Sequence, residues 1–108
     1  MLAFILYTIY NMFRQEDQDV LLKLYRQALV AGADKFGISK RANKRFYVLY
    51  RGKVIHFGSK TGQTFVDHGD VSIKQRWIRR HGVIKNKAGE YVILLKTSPS
   101  YWSYILLW

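Results

Sequence analysis

The segment RFYVLYRGKVIHFG, residues 45–58, holds two runs rich in β-branched and aromatic residues on either side of Arg51-Gly52. Such runs favour extended strands, and a two-residue break containing glycine favours a tight hairpin turn. Gly52 can take the positive φ this turn requires, while Arg51 suits a type I′ turn less well than Asn or Asp. Phe46, Val48 and Tyr50 alternate, as residues on the core side of a strand do. An isolated hairpin is marginal in water, so a third strand is needed, and residues 64–66 are the expected one, after the loop GSKTGQ.

Outward from the hairpin the periodicity changes. Leu21, Leu24, Tyr25, Ala28 and Leu29 recur at three- and four-residue steps, which predicts an amphipathic helix over 17–31 with these residues inward and Gly32 as its stop. Residues 33–45 read as a polar, basic connector ending in SKRANKR. Asp70 reads as the N-cap of a helix over 71–81, with Ile73, Trp77 and Ile78 toward the core and Gly82 just past its end. Residues 83–95 predict a second hairpin. Ser98-Pro99 reads as a cap with proline at the first helical position of SYWSYILLW, with Trp102, Ile105 and Leu106 inward. The fold class expected is α+β: a small antiparallel sheet built from hairpins, packed with an N-terminal amphipathic helix, a central basic helix and a short C-terminal aromatic helix.

Charge divides the chain of 108 residues, whose net charge is +11. Residues 1–34 carry three bases against four acids, and residues 35–108 carry fifteen against three. A positive field of this size favours polyanions: nucleic acid, an anionic membrane face or an acidic protein surface. The absence of cysteine excludes disulfides, thiolate zinc sites and thiol nucleophiles. The first thirteen residues, MLAFILYTIYNMF, are almost wholly apolar but shorter than the roughly 20 needed to span a bilayer. They lack the basic start and cleavage site of a signal peptide. The readings left open are a segment packed on the domain or a partner, an interfacial anchor, and a poor signal-like sequence. In the first two, Leu2, Phe4, Ile5, Leu6, Ile9 and Phe13 make the partner or membrane contact. Residues 1–16 are therefore set apart from a single basic domain over 17–108.

Two clusters could neutralise phosphates: Lys40, Arg41, Lys44 and Arg45 before the hairpin, and Lys74, Arg76, Arg79 and Arg80 on the central helix. Exposed rings beside the first cluster could stack on bases, although alternation assigns Phe46 and Tyr50 to the core. The loop Gly58-Ser59-Lys60-Thr61-Gly62 lacks the spacing of a phosphate-binding P-loop and reads as a turn. His56, Asp67, His68, Asp70 and His81 could suggest a small metal-dependent nuclease, narrowed to Asp67, His68 and Asp70, but Asp70 is already explained as a cap. His81 then lies roughly 16 Å away, at about 1.5 Å per helical residue. No catalytic residue, metal, cofactor or small-molecule substrate is expected.

The segments ISKRANKRFYVLYRGKVIHFG (38–58), TFVDHGD (64–70), WIRRH (77–81) and TSPSYWSYILLW (97–108) together resemble small basic proteins of nucleocytoplasmic large double-stranded DNA viruses, including iridovirus- and marseillevirus-like groups. The resemblance covers roughly residues 25–108 and leaves out the apolar first thirteen. It implies a viral protein made in the host cytoplasm and carried in the virion, with no catalytic residues to transfer. The leading expectation is a non-enzymatic minor capsid component that bridges shell proteins to one another or to the inner membrane. The alternative is a DNA- or RNA-binding protein acting through its basic surface in packaging or expression.

Overall fold

In the computed structural model, which describes residues 16–108, the order is α1 (Gln18–Val30), β1 (Lys35–Ile38), β2 (Lys44–Tyr50), β3 (Lys53–Ser59), α2 (Phe65–His68), α3 (Val71–His81), a 3-10 turn (Val92–Leu94) and α4 (Pro99–Leu107). The residues expected to touch a partner or membrane, Leu2, Phe4, Ile5, Leu6, Ile9 and Phe13, lie outside the described residues. The fold is α+β, with an antiparallel sheet in the order β1-β2-β3.

The hairpin forms as its sequence predicts. Arg51 has φ 49° and Gly52 φ 77°, so both central residues of the turn are left-handed. That twist matches the flanking strands, which is why Arg51 accepts an unfavourable backbone region. Phe46 pairs with Phe57 and Val48 with Ile55, and all four are buried. Onto this face pack Leu24 and Ala28 of α1 and Trp102, Leu106 and Leu107 of α4, making one core. Each large apolar side chain so buried contributes about 1.5–3 kcal/mol. Trp102 is fully buried, and its indole N–H donates to the Lys96 carbonyl at 2.7 Å, so no polar group is stranded.

Helix ends follow the sequence closely. Asp17 caps α1 by accepting from the amides of Asp19 and Val20. At the other end Gly32, with φ 106°, lets its own amide and that of Ala33 bond back to Leu29 and Ala28. Asp70 caps α3 through Ser72 and Ile73, and Ser98 caps α4 ahead of Pro99.

Four expectations fail. The third strand is β1, inside the supposed connector, and it flanks β2 on the side away from β3. Residues 64–66 instead enter the helical turn α2, because Asp67 turns back to accept from the Thr64 amide at 2.8 Å. Residues 83–95 form no second hairpin of strands. A single bridge joins Lys85 to Tyr91, Asn86 closes the turn by accepting from Ala88 and Glu90, and the chain then coils into the 3-10 turn. Residues 83–91 are exposed, so no buried face rewards a longer ladder. The inner face of α1 is narrower than predicted. Leu24 and Ala28 are buried, but Tyr25 and Leu29 stand at the rim, 44% and 38% exposed. In α4, Leu107 joins Trp102 and Leu106 in full burial, while Ile105 is only half-buried.

Candidate nucleic-acid interface

Of the eight basic residues expected to meet a polyanion, Arg45 is turned into the interior. It is 2% exposed, and its guanidinium is shared between two carboxylates. Nε and one terminal nitrogen donate to Glu16 at 2.8 and 2.9 Å, and the two terminal nitrogens donate to Asp67 at 2.8 Å each. A longer bond reaches Thr64 Oγ1 at 3.3 Å. Burial by itself would lower the Arg45 pKa, but the bonds to Glu16 and Asp67 and their charges outweigh it and raise it. A planar fork bonded on both sides has no edge left for a phosphate. Glu16, assigned by sequence to the apolar N-terminal segment, thus belongs to the domain.

The residues of the nuclease reading have other partners. Asp67 is held by Arg45, and Asp70 caps α3. His68 Nδ1 accepts from the Asp70 amide at 2.8 Å, which leaves its buried Nε2 without a hydrogen-bond partner, near the Trp108 ring. Among the described residues no three His, Asp or Glu side chains converge as a metal site would require.

The remaining cations divide between two places. On α3, Arg76, Arg79 and Arg80 are exposed, while Lys74 lies half-buried with its ammonium 4.5 Å from the Phe65 ring centroid. Arg79 and Arg80 sit in the last helical turn, where the helix dipole favours positive charge. The helix is anchored by Trp77, which stacks on His81 at 4.1 Å and on Trp108 at 5.1 Å.

At the other place, Lys40 and Arg41 are exposed in the β1–β2 loop and Lys44 opens β2. This loop is fastened by Ser39, whose buried hydroxyl lies 2.8 Å from His56 Nδ1 and accepts from the Arg41 amide. Desolvation lowers the His56 pKa, and the charges of Arg41 and Lys44 lower it further. Both cations are therefore close enough to be felt across the sheet. Alternation sends Tyr47, Leu49, Val54 and His56 to the side opposite Phe46, Val48, Ile55 and Phe57. Gly37, Tyr47 and His56 are direct cross-strand partners and make one row across all three strands. Sequence reasoning missed Gly37 and weighed His56 only as a possible metal ligand, not as part of the sheet face. The signal was available, since His56 lies between the core residues Ile55 and Phe57.

Residues 35–81 match a family of unknown function (DUF5754). No curated protein and no solved structure matches the chain. The matched segment holds twelve of the eighteen basic residues and two of the seven acids. It contains the whole sheet, α2 and α3, and therefore both basic clusters. It leaves out α1 and α4, which cover the core.

Proposed function

We propose that this chain is a non-enzymatic module that binds nucleic acid through the basic surface formed by its sheet and α3. One observation carries the reading. From residue 35 to residue 66 there are eight Lys or Arg and no acid, and this stretch folds into the sheet. Arg45 within it is neutralised in the interior by Glu16 and Asp67. A phosphate backbone satisfies such a surface by releasing its counterions, which makes the affinity depend steeply on salt. The test is fluorescence anisotropy of the full chain with labelled oligonucleotides over a salt series. Replacing Lys40, Arg41 and Lys44 together by Ala is expected to flatten the log K against log salt slope by about 2. An unchanged slope would remove these residues from the footprint.

A second reading is favoured by a separate observation. Leu22, Tyr25 and Leu29 form an exposed apolar stripe on α1, and Phe36 and Ile38 of β1 border the adjoining groove of about 410 Å³. In this reading the chain is a minor capsid component of a large DNA virus, bridging shell proteins or reaching the inner membrane. It is then carried in the virion and present in the host cytoplasm during assembly. Among the described residues no helix is long and apolar enough to cross a membrane, so the contact with lipid would be peripheral or made by other residues. Fractionation of purified particles separates the readings. Retention in the shell after genome release supports the structural role, and loss together with the genome supports the nucleic-acid role.

A further inference from the structure

We propose that the open face of the sheet is a stacking platform for single-stranded nucleic acid, with a base lying on Tyr47 and its phosphates held by Arg41 and Lys44. This rests on the nucleic-acid reading and names the class of strand. The first support is the placement of the ring. A Cβ at Gly37 would lie 2.8 Å from Tyr47 Cε1 and 3.1 Å from its Cζ and Oη, so the ring is drawn across the β1 backbone at the one residue that leaves room. A ring held this way loses little freedom when a base settles on it. It remains half-buried, with the His56 ring beside it at 6.1 Å.

The second support is the charge around the ring. Arg41 adjoins His56 through Ser39, whose hydroxyl meets both the Arg41 amide and His56 Nδ1. The charges of Arg41 and Lys44 both act on His56, and Lys35 is exposed two residues from Gly37, on the same side of β1. No Asp or Glu occurs within the three strands or the loops that join them. A ring bordered by cations without acids suits an alternation of bases and phosphates. An acidic protein or an anionic lipid surface would use the charges and leave the ring idle.

The third support concerns duplex. In a duplex the base faces are covered by their neighbours, so a ring recessed in a sheet meets only edges and phosphates. In a single strand a base can turn out and lie flat on the ring.

The experiment compares a fluorescein-labelled oligothymidylate of about 15 nucleotides with a labelled duplex of equal length, both titrated with the full chain. The single strand is expected to bind at least about tenfold more tightly. Tyr47→Leu, which keeps apolar cover over Gly37, is expected to weaken that binding about tenfold without changing the salt slope, while Tyr47→Phe retains it. Thermal unfolding of both variants confirms that the sheet persists. Equal affinity for duplex overturns the platform, as does full binding by Tyr47→Leu; in either case a salt-dependent interaction leaves the broader reading intact. Binding of neither oligonucleotide at low salt overturns both, including when vesicles of anionic lipid are bound instead.

Discussion

Arg45 shows how little a local stretch of sequence says about one side chain. Within KRANKR it looks like its neighbours, yet its partners Glu16 and Asp67 lie 29 and 22 residues away. No local pattern announces that pairing, because it depends on where α1 begins and how α2 turns. Removing one member of a buried ionic cluster costs about 3–5 kcal/mol, since the others stay behind uncompensated. Arg45→Ala is therefore expected to lower the melting temperature sharply. Adding Glu16→Gln and Asp67→Asn is expected to recover part of the loss, and thermal unfolding of the single and triple variants checks both. His56 makes the opposite case, because Ser39, Arg41 and Lys44, which act on it, all lie at the adjoining β1–β2 loop. Its lowered pKa keeps it neutral in the free protein below the ordinary value of about 6.5. Stability from this group is thus full above the unfolded value and declines as pH falls through it toward the folded value. A bound polyanion offsets the Arg41 and Lys44 charges and raises the pKa, so binding takes up a proton. Affinity for the oligonucleotide is expected to rise as pH drops from 8 toward 5, and His56→Gln is expected to flatten that profile.

At the scale of elements, the legible pieces are those whose ends carry chemistry. The helix expected over 71–81 is α3 to the residue, because Asp70 supplies a cap and Gly82 lies just past the end. The Arg51-Gly52 turn was equally plain. β1 was hidden because it has four residues, one of them a glycine that weakens strand propensity. α2 was misread because Phe65 and Val66 suit strands, while the Thr64-to-Asp67 spacing that starts a helix was passed over. Both misreadings bear on the site, since β1 carries Gly37 and α2 carries Asp67. The anchoring of α3 is also checkable. Trp77 is its buried residue, so Trp77→Ala is expected to cost about 3 kcal/mol or more and to loosen the helix first. Hydrogen exchange should then quicken over 71–81 before it quickens in the strands; simultaneous loss in both would show that α3 has no independence.

For the whole molecule, interior and exterior divide the chain differently from its sequence halves. The core is drawn from both ends and the middle: α1, the sheet and α4. The cations belong chiefly to the middle, which forms α3 and a sheet whose second face no described element is packed on as the core packs on the first. Sequence gave the sum of charge and its location along the chain, but the open face became visible only once β1 was paired. One feature of the interior reaches further. The Arg45 fork ties residue 16, the second strand and the turn after the third into a single knot. In a protein without cysteine this is a cross-link of the kind secreted domains make with sulfur, closing loops of similar length. Made of charge and hydrogen bonds, it is indifferent to reductant and oxidant alike. The fold can therefore keep its fastening unchanged when it passes between compartments of different redox poise.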